Sequence, residues 1–271
     1  MDNQLLEGAI AVVAGGSSGI GRGVVEVFAR SGAAVEFFGI DENENEAVAL
    51  GLVDSGFDVR ASTVDAADPA AVQTFFDDVA KRRGGLDALV NSVGIQRYGT
   101  AETTSIETWN EVMNVNLRSM FLTAKFAVPL MRHRGGGAIV NISSGQAVAS
   151  QKNVVAYTAS KGAIVAMTRA MAVDYAGEGI RVNSVCPGSI DTPMLRASAQ
   201  SMDPGDPGRI IAEWGRGHPI GRVGEPFEVA NACLFLVSSL SSFITGADLR
   251  VDGGALAGIS LAAPDESSDE A

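Results

Sequence analysis

Short runs of apolar and β-branched residues recur along the chain at 9–14, 33–38, 58–64, 86–91, 138–142 and 180–185, each bounded by turn formers. Runs of this length without polar alternation predict strands buried on both faces. Between them, residues 19–30, 45–54, 69–83, 106–132 and 154–176 carry apolar positions three and four apart, which predicts helices. A further helix over 226–237, opened by Pro226 in its first turn, precedes a seventh expected strand near 248–251. Strict alternation of strand and helix implies an α/β fold, with a doubly wound parallel sheet covered by helices on both faces.

No linker interrupts this rhythm, so residues 1–260 are expected to form one domain. The segment 193–219 breaks the pattern with Met202-Asp203-Pro204-Gly205-Asp206-Pro207-Gly208, which favours turns over regular structure. Such an insertion beside a rigid sheet is expected to act as a substrate lid. Residues 261–271 are small and acidic and read as a flexible tail.

Composition narrows the function classes. The chain has 271 residues, 46% hydrophobic and 19% charged, which suits a single well-filled core. Its net charge of −12 repels nucleic-acid backbones and anionic lipid surfaces, so neither is an expected partner. Two cysteines (Cys186, Cys233) and two histidines (His133, His218) offer no zinc-ligand spacing, and no metal is expected. There is no apolar run of the ~18–20 residues a membrane span needs, and residues 1–8 lack a basic cluster. A cytoplasmic protein is expected.

Candidate chemistry begins after the first strand, where Ala14-Gly15-Gly16-Ser17-Ser18-Gly19-Ile20-Gly21 leads into a helix. Glycines there let the chain turn tightly and let a pyrophosphate approach amides at the helix start. At the end of the second strand comes Phe38-Gly39-Ile40-Asp41-Glu42. A carboxylate in this place accepts hydrogen bonds from an adenosine ribose and repels a 2′-phosphate. No base occurs between Gly32 and Asp58, which favours NAD over NADP. The competing reading is that Asp41 and its acidic neighbours merely begin a solvated helix, where carboxylates suit the dipole. In Tyr157-Thr158-Ala159-Ser160-Lys161, tyrosine and lysine share one helix face. A nearby ammonium favours the phenolate and would make the phenol a usable acid/base.

Taken together these motifs resemble the short-chain dehydrogenase/reductase family along nearly the whole chain. Asn91-Ser92-Val93-Gly94 stands in place of that family's Asn-Asn-Ala-Gly motif, and Asn116 lies in a matching Val115-Asn116-Leu117. Ser144 precedes Tyr157 by thirteen positions, as in the family. Asn183, the run Pro187-Gly188-Ser189-Ile190-Asp191-Thr192 and the late pair Gly221-Arg222 and Asp252-Gly253-Gly254 also match. The resemblance implies that Tyr157 exchanges a proton with the substrate oxygen and that Ser144 donates a hydrogen bond to it. Lys161 would lower the tyrosine pKa and bind the nicotinamide ribose, and Asn116 would hold a water linking Lys161 to solvent. Ile190 and Thr192 would seat the carboxamide and Asp65 would contact the adenine. A homotetramer with two-fold axes is also implied, and the apolar surplus of the long helices agrees with it.

The chain departs from the family pattern at three places. Ala14 replaces a threonine and Ser92-Val93 replace Asn-Ala, so some hydrogen bonds that tie the glycine loop to its neighbours are expected to be missing. Gly39 occupies the position that most often holds the aspartate of NAD-using members, which leaves Asp41 as a displaced substitute. The leading function is an NAD(P)-dependent oxidoreductase acting on a small polar alcohol or ketone, such as a sugar, polyol or hydroxy acid. A 3-oxoacyl thioester reductase is the alternative enzyme, and a catalytically inactive nucleotide-binding scaffold the alternative of another class. Gln96, Arg97, Gln146, Gln151, Met194 and Trp214 are the candidate substrate-pocket residues.

Overall fold

The computed structural model describes residues 4–258. The acidic stretch 261–271 lies outside the described residues, as do the last residues assigned to the domain. Seven strands, β1 (Ile10–Ala14), β2 (Ala34–Gly39), β3 (Val59–Thr63), β4 (Ala88–Asn91), β5 (Gly137–Ile142), β6 (Ile180–Pro187) and β7 (Asp248–Val251), form one sheet in the order β3-β2-β1-β4-β5-β6-β7. Every neighbouring pair is parallel.

The helices are α1 (Gly19–Arg30), α2 (Glu42–Val53), α3 (Pro69–Arg83), α4 (Ile106–Met113), α5 (Ser119–Arg134), α6 (Val155–Tyr175), α7 (Pro193–Met202), α8 (Pro207–Arg216) and α9 (Pro226–Val237). Alternation along each strand divides the core in two. Ala11, Val13, Val35, Phe37, Val90 and Val140 face a layer holding Val24, Val25 and Phe28 of α1 and Val229 and Cys233 of α9. Val12, Phe38, Leu89, Ile139 and Val182 face Phe75 and Phe76 of α3, Val128 and Met131 of α5, and Met171 of α6. A strand with apolar residues at successive positions therefore serves two cores at once, which is why the runs looked unbroken in sequence.

Three expectations are corrected here. The edge strand β3 is not buried on both faces, with only Val59 buried along it. The helix read over 106–132 is interrupted by a π-helical turn, Asn114–Arg118, between α4 and α5. The segment 193–219 is mostly α7 and α8, with the Asp203–Asp206 stretch as the turn between them. Both helices start on a proline behind a capping oxygen, Thr192 to the Leu195 amide and Asp206 to the Arg209 amide, a local signal that the turn-rich reading overrode.

One charge in the core had no counterpart in the apolar pattern. Glu36 on β2 is fully buried, held by Arg82 at 2.8 Å and Arg83 at 2.9 Å from the last turn of α3. Arg83 also forks onto Asp58, whose carboxyl it holds below the usual range.

Candidate active site

The sheet order reverses direction between β1 and β4, and a crevice opens outside the carboxyl ends of the strands at such a point. A cleft of about 850 Å³ lies there. Its walls include Gly15, Ser17, Ser18, Gly19 and Ile20 after β1, Asp41 after β2, and Asp65 after β3. Gly94 and Gln96 follow β4, Ser144 and Gln146 follow β5, and Pro187, Gly188, Ile190 and Thr192 end β6 or follow it. Gln151, Tyr157, Lys161, Met194 and Trp214 complete the set of expected residues found on the wall.

Three expected residues stand behind the wall. Asn91 is buried in a polar chain, donating to Asn141 Oδ1 at 2.9 Å and accepting from the Thr123 hydroxyl at 2.7 Å, while Asn141 donates to Thr168 at 2.9 Å. Its amide ties β4 to β5 and to the helical layer. Gly21 faces inward, and a Cβ built on it would fall inside the contact distance of the Gly15 carbonyl oxygen. Its smallness lets α1 close on the turn. Asn116, in the π turn, accepts from the Ile95 amide at 2.7 Å and donates to Ile95 O and to Ser160 Oγ, both at 3.0 Å. The Asn116 side chain thus holds the chain after β4 against α6. Arg97 is not on the wall itself; it forks onto Glu111, a wall residue, at 2.6 and 3.0 Å.

The glycine loop keeps its shape by backbone bonds in place of the side chains it lacks. The Gly15 and Gly16 amides donate to Phe38 O at 2.8 and 3.0 Å, and the Ser92 amide donates to Ala14 O at 2.9 Å. At the start of α1, Ser18 makes no side-chain cap and the first turn holds no acid, so nothing negative competes for its amides. Asp41 does cap α2, accepting from the Glu44 amide at 3.0 Å, and it also lines the cleft; both readings of this residue describe it. Asp65 likewise closes a turn onto the Ala67 amide at 2.8 Å while facing the cleft.

At the inner end of the cleft, α6 sets Tyr157 and Lys161 one above the other, with Lys161 Nζ 5.4 Å from the tyrosine ring centroid. Ser143 at the end of β5 donates to the Lys161 carbonyl at 2.8 Å, which pins the helix to the sheet. Nζ donates to Ile142 O at 3.0 Å. A Cβ on Gly94 would meet Nζ at 3.5 Å and Asn116 Oδ1 at 3.6 Å, so Gly94 sits directly against the lysine head on the cleft wall.

Burial governs the titration of both groups. Tyr157 is pushed up to about 12, with a hydrogen bond from Ser144 drawing it partly back. Lys161 is pushed down to about 8 by the same loss of water. In the free protein removal from water disfavours both charged forms, the phenolate and the ammonium.

Spacing did not reveal one further feature. His218 follows α8, and its Nδ1 bonds Trp214 O at 2.7 Å while Nε2 accepts from the Ser189 amide at 3.1 Å. Its ring joins the segment carrying α7 and α8 to the end of β6, and it lines the cleft with Asp252. No local motif marks it, because its partners are distant backbone atoms.

Sheet order and crevice position place the chain among Rossmann-type α/β proteins. Comparison with known proteins narrows that class. A family model described as enoyl-(acyl carrier protein) reductase matches residues 14–255. The oxidoreductase YxbG of Bacillus subtilis, itself uncharacterised, is 36% identical over 93% of this chain and 92% of its own length. The 3-oxoacyl-[acyl-carrier-protein] reductase FabG of Chlamydia muridarum is 36% identical over 93% of this chain and 99% of its own. Among solved structures, ligand-free aldohexose dehydrogenase of Thermoplasma acidophilum superposes with a TM-score of 0.89 at 37% identity, covering 97% of this chain and 99% of that one. The chain belongs to the short-chain dehydrogenase/reductase family and is an oxidoreductase; the family uses nicotinamide cofactors.

Proposed function

We propose that the protein transfers a hydride between NAD and a small polar alcohol or its ketone, of the sugar, polyol or hydroxy-acid kind. The observation that carries this reading is the meeting of Ser144, Tyr157 and Lys161 at the inner end of a cleft whose outer half is the glycine turn. The residues present fit a dinucleotide: uncapped α1 amides suit a pyrophosphate, and Lys161 and Gly94 share the wall of the same cleft. The cofactor supplies the hydride. Tyr157 gives its phenolic proton to the substrate oxygen or takes one from it, and Ser144 donates a hydrogen bond to that oxygen as charge develops. Lys161 holds a positive charge beneath the phenol and binds the nicotinamide ribose, while Asn116 positions Ile95 and the cleft wall after β4. The segment carrying α7 and α8 serves as the lid.

NAD is favoured over NADP because Asp41 and Glu44 line the adenosine end and no base lies between Gly32 and Asp58. The alternative, a 3-oxoacyl thioester reductase, draws support from the FabG relative. Against it, Arg196 pairs with Asp191 and Arg209 with Asp203 and Glu213, which leaves Arg216 as the lid base outside these pairs to meet an acidic carrier. The deciding measurement follows reduced-nicotinamide absorbance with NAD or NADP over a panel of sugars, polyols, hydroxy acids and a 3-oxoacyl thioester. Turnover of the polar alcohols with NAD is expected. Efficiency with NADP equal to that with NAD, or turnover of the thioester alone, would contradict the reading.

A pH dependence follows from Lys161. In the free protein its amine loses its proton near about 8, and a dinucleotide of net negative charge favours the ammonium. Binding should therefore take up a proton above that pH: affinity is full below it and weakens as pH rises, by at most about tenfold per unit. Calorimetric titration at about pH 8.5 in two buffers of different ionisation heat measures this uptake. Lys161→Met should abolish it, and proton release by the wild type would contradict the assignment.

The surface also supports a homotetramer in solution. Val173 on α6 is 81% exposed, beside exposed Ala166 and Ala170, and Phe121 on α5 and Ile106 on α4 are also exposed. Two-fold related helices would bury such faces. Light scattering at micromolar concentration is expected to give a tetramer mass, lowered by Val173→Glu; a monomer mass for the wild type would count against it.

A further inference from the structure

Charge is unevenly spread over the walls of the cleft. Lys161 is the one lysine or arginine on them among the described residues, and residues 1–3 and 259–271 hold no lysine, arginine or histidine that could add another. The proposed function already assigns that ammonium to the nicotinamide ribose. His218 offers no cation in its place. Its Nε2 accepts from the Ser189 amide, which can only donate, so Nδ1 carries the single proton of a neutral ring and spends it on Trp214 O.

Away from the adenosine end, three carboxylates line the cleft: Glu111, Glu213 and Asp252. Two of them are engaged. Both oxygens of Glu111 are taken by the fork of Arg97, and Asp252 accepts from the amides of Gly254 and Leu256 at 3.0 and 3.1 Å. Glu213 differs, because Oε1 takes Arg209 Nη1 at 2.6 Å while Oε2 has no partner among the described residues. Arg209 itself stays off the wall and is held a second time by Asp203 at 2.8 Å. The bond from His218 to Trp214 O ties the end of α8, which carries Glu213, to the end of β6.

We infer that Glu213 Oε2 receives a hydroxyl of the substrate, and that the cleft therefore selects an uncharged polyhydroxy compound, a sugar or polyol, over a hydroxy acid. The inference rests on the reading of this cleft as an NAD-dependent alcohol site and narrows it. A carboxylate accepts hydrogen bonds and has none to give, so it pairs with a hydroxyl and meets a second carboxylate as a like charge. A bound hydroxy acid would leave its anion without an arginine or a free lysine on the wall to answer it. The wall amides of Gln96 and Gln151 do not decide the matter, because an amide donates to a hydroxyl and to a carboxylate alike.

The test measures kcat/KM by NAD reduction for a panel of aldohexoses, each beside its own uronic acid, and of polyols, each beside the aldonic acid of equal length. Wild type is expected to favour the neutral member of a pair by about tenfold or more, the size of one charge-assisted hydrogen bond. Glu213 is exposed on α8, and Glu213→Gln keeps its shape and leaves Arg209 on Asp203, so the fold is not at stake. This variant should cut the preference at least about threefold, through a higher KM for the neutral compound and a lower one for the acid. A purely structural glutamate would slow both members alike and leave the ratio intact, which would overturn the proposal. Wild type that turns over the acids as well as the neutral compounds sinks this inference alone; turnover of neither class sinks the functional reading with it.

Discussion

Tyr157→Phe is expected to lower turnover by at least ~10²-fold while leaving dinucleotide affinity nearly unchanged. The variant removes one oxygen. The ring stays packed in the wall, 8% exposed, and Lys161 remains anchored to Ile142 O and Ser143 through its own contacts. What disappears is the proton that must reach or leave the substrate oxygen, and Ser144 cannot replace it, because an alkyl hydroxyl is a far weaker acid than a phenol. Steady-state rates together with calorimetric binding separate the two effects. Activity above about a tenth of wild type would show that the proton moves by another route.

Gly21→Ala should be the most damaging single methyl on the cofactor side. Its Cβ would overlap the carbonyl oxygen of Gly15 and press on Ser92 Cβ at 3.3 Å, and backbone cannot rotate aside as a side-chain tip can. Helix α1 must shift from the turn, with a stability loss of about 1–3 kcal/mol and a larger loss of NAD binding, since the amides of the first turn move with it. Gly162→Ala on α6 is the control: nothing lies within 4 Å of its Cβ, and a helical glycine replaced by alanine gains about 0.5–1 kcal/mol. Melting temperatures and NAD titrations of both variants check the contrast. A Gly21→Ala protein that melts and binds like wild type would contradict the close-packing account.

The reading of the fold from sequence succeeded where local chemistry and tertiary need agree. Helices α1, α3 and α9 begin and end at the residues their spacing and prolines indicate, and β7 was placed at 248–251. It fell short at α4 and α5, because a π turn is one extra residue in a helix that keeps its apolar spacing on either side. Likewise, α7 and α8 were hidden by the density of proline, glycine and aspartate at their junction.

The sequence by itself determined the seven-stranded α/β plan, the glycine turn, and the shared helix face of Tyr157 and Lys161, because periodicity and i,i+4 spacing are local properties of a chain. Only the tertiary structure decided which of the named residues reach the cleft. Asn91, Gly21 and Asn116 fill roles behind it, because the sheet brings Asn141, Gly15 and Ile95 against them from 50, 6 and 21 positions away. It decided the titration of the pair as well, because the sign depends on how much water each group loses, and burial is the largest influence on both. Glu213 was legible only in space: which carboxylate of the cleft keeps an oxygen free is settled once Arg97, Arg209 and the amides after Asp252 have each taken their partners.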